Sequence, residues 1–301
     1  MHDDRPPDKM HADELITDAP LVRRLLAAQF PEWADLRIER VPSSGTDNAL
    51  YRLGDDLVAR LPRIEGAARG IAKDFEWLPR LAPLLPAEIP VPVARGAPGA
   101  GFPWEWGVYR WMEGENPGLR SGTEDLALDL ARVVRAIQRV ELPDPPASRR
   151  GAPLEVQDRM ARKALVQLEG TIDVAAATSA WDAALRAPAW SGDPVWLHGD
   201  LLPGNMLVRE TRLAGVIDFA IVGVGDPACD MLPAWSVLGG EAREVFRREL
   251  GADDATWARG RGWALSMGLI ALPYYTETNP EFATVARHMI GEVLAEANVR
   301  S

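Results

Sequence analysis

The first third of the chain carries short runs in which apolar and polar positions alternate, a pattern typical of strands with one buried face. These runs lie at residues 37–41, 49–53, 57–61 and 106–111. The turn residues Gly54-Asp55-Asp56, between the second and third runs, indicate a hairpin. Apolar residues at helical spacing predict helices at about 18–31, with Asp18 as N-cap, and at about 67–81. The proline-rich stretch 89–99 predicts an irregular segment.

The pattern changes after Gly114, where apolar positions recur every three or four residues. The first helix there begins either with a capping box of Ser121 and Glu124 or with Thr123 as N-cap, and Pro143 stops it. Further helical patterns cover about residues 155–169, 176–186, 241–250, 254–272 and 281–297, and short strand-like runs lie between 195 and 220. A β-rich segment followed by a helical one predicts an α+β fold with a small N-terminal lobe and a larger C-terminal lobe. We expect residues 1–17 to be a flexible tail, 18–112 to form the first lobe and 113–301 the second.

Composition narrows the classes of partner. The 301 residues carry a formal net charge of -11, and 47% of them are hydrophobic, which is an ordinary globular balance. An acidic chain repels nucleic acid and anionic lipid, so we expect neither nucleic acid nor membrane as a partner, and the charge weakly favours a cationic small molecule. Cys229 is the single cysteine, and the polar N-terminus has no apolar signal core. These features predict a cytoplasmic protein without internal disulfides.

The strongest chemical signal is the segment His198-Gly199-Asp200-Leu201-Leu202-Pro203-Gly204-Asn205. Phosphoryl transfer from a nucleotide needs a carboxylate that orients or deprotonates the attacking hydroxyl, and oxygen ligands that hold Mg²⁺ against the phosphates. Asp200 can supply the first group and Asn205 the second, at the D-x-x-x-x-N spacing of a kinase catalytic loop. Two strand-like runs, 206–208 and 213–217, predict a hairpin that returns Asp218 to the side of Asn205 as a second metal ligand.

These segments, together with Gly225-Asp226-Pro227-Ala228-Cys229-Asp230, resemble the signatures of aminoglycoside phosphotransferases and related antibiotic kinases. The resemblance extends over about residues 35–295. It implies a protein-kinase-like fold and transfer of the γ-phosphoryl group of ATP or GTP to a small-molecule hydroxyl.

The resemblance also implies roles for single residues of the second lobe. Asp200 matches the catalytic base, and Asn205 and Asp218 match the magnesium ligands. His198 matches a histidine that mainly braces the loop, and Asp230 matches a carboxylate that supports the loop rather than reacts. The second lobe would therefore carry catalysis and the acceptor site.

In the first lobe, the resemblance implies a nucleotide-binding role. The resemblance assigns residues 43–48 to the loop over the phosphates, with Ser43, Ser44, Gly45 and Thr46 as the expected nucleotide contacts. The backbone groups of Arg110 and Met112 would meet the purine. The cation on the strand 57–61 would be paired with a carboxylate of the following helix, for which Asp74 and Glu76 both qualify and Asp74 is preferred.

Two positions depart from the family pattern. Arg60 stands where the family has its nucleotide lysine, and arginine can still bridge phosphate oxygens. Macrolide phosphotransferases show a similar arginine-containing run. Ala220 follows Phe219 where glycine is usual, which removes no ligand.

Three hypotheses about function follow. The first is an antibiotic kinase that acts on an aminoglycoside or a macrolide. The second is a kinase of the same fold that acts on a metabolite such as a sugar, a choline-like amine or homoserine. The third, which Arg60 and Ala220 motivate, is a nucleotide-binding module without catalysis.

Overall fold

The structure is a computed structural model, and it describes residues 14–42, 45 and 47–299. The chain divides into two compact units. The first ends at Pro83 and resumes over Ile89–Glu113, and the second comprises Leu84–Glu88 and the chain from Gly114 onward. The first unit is built around a sheet and the second around helices, so the predicted α+β fold is confirmed.

A five-stranded antiparallel sheet forms the centre of the first unit, in the order β1-β2-β3-β5-β4. Its strands are β1 Ile38–Val41, β2 Asn48–Leu53, β3 Leu57–Pro62, β4 Pro92–Gly96 and β5 Trp106–Arg110. The prediction of an irregular segment at 89–99 was wrong, because this stretch contains β4. Proline is tolerated there because β4 lies at the edge of the sheet, and its register shifts between Pro92 and Ala94.

One face of this sheet is covered by helix α1, Ala19–Gln29. The predicted N-cap is confirmed, since the Asp18 carboxylate accepts from the Leu21 N–H at 2.7 Å. The strand alternation places every second side chain of β2 and β3 on the α1 side. The core on this side consists mainly of Leu21, Val22, Leu25, Leu26, Ala49, Tyr51, Leu53, Ala59, Leu61, Trp106 and Val108.

The polar side of β3 carries Arg60, which points away from this core because Ala59 and Leu61 point into it. Helix α2, Glu65–Leu81, supplies the partner of Arg60 from that side. The helix therefore starts two residues before the predicted position and ends as predicted.

Residues 14–17 attach the segment that precedes α1 to the sheet. The Leu15 N–H donates to the Arg63 carbonyl oxygen at 2.8 Å, and the Tyr51 hydroxyl donates to Thr17 Oγ1 at 3.0 Å. The side chains of Glu14 and Thr17 are buried. This part of the segment expected to be a flexible tail is thus packed, and the rest of that expectation, residues 1–13, lies outside the described residues.

The second unit contains most of the helices. They are α3 Glu124–Gln138, α4 Asp158–Gln167, α5 Val174–Leu185, α6 Pro233–Ser236, α7 Gly240–Leu250, α8 Asp254–Tyr275 and α9 Pro280–Val299. The N-cap of α3 is Thr123, whose hydroxyl accepts from the Leu126 N–H at 3.2 Å. The capping box was wrong, because the Ser121 hydroxyl instead donates to the carbonyl oxygen of Gly118.

Two small two-stranded antiparallel sheets position the loop residues of this unit. They pair β6 Val195–Leu197 with β9 Gly223–Gly225, and β7 Met206–Arg209 with β8 Arg212–Val216. The second pair confirms the predicted hairpin. Glu88, from the short segment 84–88, joins the outer side of β8 through its N–H to Ala214 (3.2 Å) and its carbonyl to Val216 (2.9 Å).

Helix α8 lies at the centre of the second unit, in contact with α4, α5 and α9. Its buried residues lie on most sides of the helix, as expected for a helix enclosed by the rest of its unit. Over the part of the chain that the structure describes, neither α8 nor any other helix combines the length and the apolar character that crossing a bilayer requires.

Candidate active site

His198 begins the loop that joins β6 to β7, and its imidazole is fully buried. Burial lowers the pKa of His198 to about 4, against the opposing effect of the nearby Asp218 carboxylate. The neutral ring bonds on both sides: Nε2 lies 3.1 Å from the Ile217 carbonyl oxygen, and Nδ1 accepts the Asp200 N–H at 3.2 Å. These partners assign the proton to Nε2. Because both ring nitrogens are used by the backbone, His198 holds the loop and has no nitrogen left for proton transfer.

The Asp230 carboxylate fixes the same loop through its backbone. Its two carboxylate oxygens accept the N–H groups of His198 at 2.8 Å and Gly199 at 2.7 Å. Burial raises the pKa of Asp230 to about 7, although these two hydrogen bonds act in the other direction. Gly199 has a φ of 84°, and an added Cβ would meet Leu197 at 3.1 Å, so the loop needs glycine at this point.

The loop next brings Asp200 and Asn205 into direct contact. The Asn205 Nδ2 donates to the Asp200 carbonyl oxygen at 2.8 Å and to its carboxylate Oδ2 at 2.9 Å. A 3₁₀ turn, Pro203–Asn205, makes this contact possible by folding the chain back. With both amide hydrogens directed at Asp200, the atom of Asn205 that can bind a cation is its Oδ1.

Asp218 reaches the same place through the β7–β8 hairpin. Met206 pairs with Val216, and the Ile217 N–H donates to the Asn205 carbonyl oxygen at 2.9 Å. Asp218 itself has a φ of 62°, an uncommon conformation for a residue other than glycine, and it turns the chain sharply after the strand. The Ala220 N–H lies 3.4 Å from Asp218 Oδ1, so the alanine at this position leaves the carboxylate in place.

The oxygen atoms of Asn205 and Asp218 suit Mg²⁺. This ion is usually held by one or two carboxylates together with substrate phosphates and water, rather than by a closed cage of protein ligands. Among the described residues, no group of three or more His, Cys, Asp or Glu side chains converges as a metal site. An amide oxygen and a carboxylate are ligands of the kind that a nucleotide-bound magnesium ion accepts.

A buried ion pair that the sequence analysis did not identify holds the segment that carries Asp230. Arg259 of α8 donates to Asp226 through Nε at 2.7 Å and Nη2 at 3.1 Å, and both side chains are buried. Asp226 also caps the 3₁₀ helix Pro227–Met231, which carries Asp230. Asp226 lies in the quoted motif, but no local pattern indicates Arg259, which is 33 residues away in the sequence.

In the first unit, Arg60 pairs with Asp74 of α2, with Nη1 at 2.8 Å from Oδ2. Glu76, the other candidate, is exposed. Two more residues complete this group: Asn48, predicted as the end of the phosphate loop and here the first residue of β2, and Tyr109, which the sequence analysis did not identify. The Tyr109 hydroxyl donates to Asp74 Oδ2 at 2.9 Å, and the Asn48 amide oxygen accepts from Arg60 Nε at 3.2 Å and Nη2 at 2.9 Å in the orientation that satisfies both groups.

The remaining predicted nucleotide contacts belong to the same unit of the chain. Ser43, Ser44 and Thr46 are outside the described residues, and Gly45 is exposed. The Arg110 N–H is already bonded to the Val91 carbonyl oxygen at 2.9 Å, so only its carbonyl can serve a purine. Met112 follows β5 and is partly exposed, and its N–H has no backbone partner among the described residues.

An antiparallel five-stranded sheet and a helical unit with a D-x-x-x-x-N loop define a kinase-like phosphotransferase. The model of the phosphotransferase enzyme family, APH, matches residues 38–263, and the chain belongs to this family. It is therefore an enzyme that transfers a phosphoryl group, and the resemblance stated from the motifs is confirmed.

Solved structures agree with this fold. An aminoglycoside 2'-phosphotransferase in complex with GDP has a TM-score of 0.69 at 18% identity, over 93% of this chain and 100% of that one. The macrolide 2'-phosphotransferase of Brachybacterium faecium has a TM-score of 0.58 at 24% identity, over 87% and 97%. A spectinomycin phosphotransferase with ADP and spectinomycin has a TM-score of 0.66 at 12% identity, over 93% of this chain and 97% of that one. No curated protein matches the sequence.

Proposed function

We propose that this phosphotransferase moves the γ-phosphoryl group of Mg²⁺-bound ATP or GTP to a hydroxyl group of an aminoglycoside or macrolide antibiotic. Asp200 orients the acceptor hydroxyl and accepts its proton, while Asn205 and Asp218 hold the metal. Transfer is direct and in line, without a covalent enzyme intermediate.

The observation that carries this proposal is the contact between Asn205 and Asp200. The amide donates to the carboxylate at 2.9 Å, so one hydrogen bond sets the distance between the base and the metal ligand. Phosphoryl transfer depends mainly on position and charge rather than on covalent chemistry by the protein. A rigid link between these two side chains is what such a reaction requires.

For the first unit we propose nucleotide binding, with Arg60 at the phosphates and Asp74 as its counter-ion. The pair is well protected from water, since the side chains are 11% and 1% exposed. Charge-assisted hydrogen bonds of this kind are about twice as strong as neutral ones, so Asp74 would hold the guanidinium in place. In the same proposal, Ser43, Ser44, Gly45 and Thr46 cover the phosphates, and the carbonyl of Arg110 and the N–H of Met112 meet the base.

The acceptor class rests on two lines of support. The solved structures of similar fold are named for aminoglycosides, a macrolide and spectinomycin. The net charge of -11 favours a cationic acceptor over an anionic one. Both lines are independent of the catalytic loop, so the acceptor can be tested separately from the chemistry.

The test is a transfer assay with γ-labelled ATP and GTP, Mg²⁺ and a panel of aminoglycosides, macrolides, sugars, choline and homoserine. We expect an antibiotic to be labelled by the wild-type protein. Asp200→Ala should reduce turnover by about 100-fold or more while it leaves Mg²⁺-nucleotide binding within about threefold. Asp193→Ala, which removes an exposed carboxylate in the segment before β6, is the matched control and should behave as wild type.

Each result bears on a different part of the proposal. Labelling of metabolites alone would reject the antibiotic acceptor and keep the phosphotransferase chemistry. Full turnover by Asp200→Ala would remove Asp200 from the mechanism. Nucleotide binding without transfer to any acceptor on the panel would contradict the proposed reaction.

A further inference from the structure

Asn48 and Arg60 lie on adjacent antiparallel strands, on the same face of the sheet. Asn48, the first residue of β2, pairs with Pro62, and Leu50 pairs with Arg60. Asn48 is therefore the diagonal neighbour of Arg60, at a separation that a long side chain can bridge. Sheet register alone places the amide beside the guanidinium.

The contacts of Arg60 fix the plane of its guanidinium from two sides. Asn48 Oδ1 accepts from Nε and Nη2 together, at 3.2 and 2.9 Å, which is a side-on contact with one edge of the group. Asp74 Oδ2 accepts from Nη1 at 2.8 Å. One partner comes from a strand and the other from α2, so rotation about the end of the side chain is restrained. A planar donor group is useful for phosphate only when its plane is correctly oriented.

A lysine could not use Asn48 in this way. Its ammonium is a compact charge at the end of a flexible stem, and it has no N–H group on the stem that corresponds to Nε. The carboxylate of Asp74 could pair with either cation, whereas a side-on acceptor is specific for arginine. The departure from lysine at position 60 is thus accompanied by an acceptor that takes two N–H donors from arginine at once, a contact that lysine cannot reproduce.

We propose that Asn48 is a positioning residue that orients Arg60 toward the nucleotide phosphates. This inference rests on the proposed role of Arg60 in nucleotide binding. Asn48 acts through Arg60, so its contribution to nucleotide affinity should exist with arginine at position 60 and disappear with lysine there.

A double-mutant cycle tests this coupling. The four proteins are wild type, Asn48→Ala, Arg60→Lys and the double variant, and the dissociation constants of Mg²⁺-bound ATP and GTP are measured by calorimetry. We expect Asn48→Ala to weaken binding about tenfold in wild type and less than about twofold in the Arg60→Lys background. The KM for the nucleotide should rise in parallel, with kcat changed much less.

A second measurement does not depend on the lysine variant. Asn48→Ala should weaken binding of the triphosphate and leave binding of the free nucleoside unchanged, because the nucleoside has no phosphate for Arg60. Asn48→Leu, similar in size and without an acceptor, replaces the alanine variant if circular dichroism shows that the latter is unfolded.

The outcomes separate this inference from the proposed function. Equal losses in both backgrounds, or an equal loss for nucleoside and triphosphate, would show that Asn48 acts independently of Arg60 and would overturn the inference alone. Unchanged nucleotide affinity in Asn48→Ala would also overturn this inference and leave the proposed function standing. Absence of nucleotide binding by the wild-type protein would overturn the role of Arg60 and this inference together.

Discussion

The side-chain amide of Asn205 donates to both the carbonyl and the carboxylate of Asp200, at 2.8 and 2.9 Å. Asn205 thus has two tasks, since its Nδ2 orients the proposed base and its Oδ1 is the atom that can face the metal. A substitution that retains an oxygen but removes the amide separates these tasks.

Asn205→Asp makes that separation. The new carboxylate could still bind Mg²⁺, but it would face the Asp200 carboxylate without a hydrogen to share, and the two charges would repel. We expect kcat to fall by about 100-fold or more, with a smaller effect on nucleotide affinity. Steady-state kinetics and calorimetry measure the two quantities. A variant with normal kcat would show that the amide contact has no part in turnover.

His198 is expected to be neutral, with its proton on Nε2, throughout the physiological range. Its folded-state pKa of about 4 lies below the ordinary histidine pKa of 6.5. The stability that it contributes is therefore fully present above pH 6.5 and is lost as the pH falls through 4. Nitrogen-15 NMR of the imidazole at pH 7 should show the Nε2-protonated tautomer. A charged ring, or titration between pH 6 and 7, would contradict the assigned hydrogen bonds.

Asp230 should give stability the opposite dependence on pH. Its folded-state pKa of about 7 lies above the ordinary aspartate pKa of 3.8, so the stability that this shift contributes is present below about pH 4 and is lost as the pH rises through 7. Asp230→Asn removes this titration. The difference in unfolding free energy between wild type and the variant should therefore shrink from pH 5 to pH 8 in urea titrations. A constant difference would show that Asp230 is ionised throughout that range.

The Asp226–Arg259 pair should matter far more to stability than ion pairs on the surface. Asp226→Asn leaves a buried guanidinium without its counter-charge, which costs about 3–5 kcal/mol. The matched control is Arg37→Gln, which breaks the exposed pair with Glu39 and should leave the unfolding midpoint almost unchanged. Chemical denaturation measures the unfolding free energy of both variants. Equal effects of the two substitutions would mean that burial does not determine the contribution of the Asp226 pair.

The strands at 49–53 and 57–61 and most of the long helices could be predicted because each has a local pattern. A strand with one buried face repeats its apolar positions every two residues, and a helix with one buried stripe repeats them about every 3.6 residues. Strand β4 escaped prediction because proline normally argues against a strand, and nothing local shows that Pro92 lies at the edge of a sheet. Thr123 and Ser121 were both acceptable caps, and only the folded loop distinguishes them.

In the candidate site, the loop residues Asp200, Asn205 and Asp218 were predictable because their spacing is itself the signal. The contacts that Asn48, Tyr109 and Arg259 make were not predictable, since each partner is at least 12 positions away and registers between strands and helices decide the contacts. The spacing of a motif indicates the groups that react, while the groups that hold them in position depend on tertiary structure.

The path of residues 84–88 has a practical consequence for recombination with relatives. This stretch lies between α2 and β4 in the sequence, yet it belongs to the helical unit and adds Glu88 to the edge of β8. A chimaera that exchanged everything before Gly114 as one block would bring a foreign segment to that edge. Hybrids built to transfer nucleotide preference between relatives should therefore retain the host sequence at 84–88, with crossover points on both sides of it.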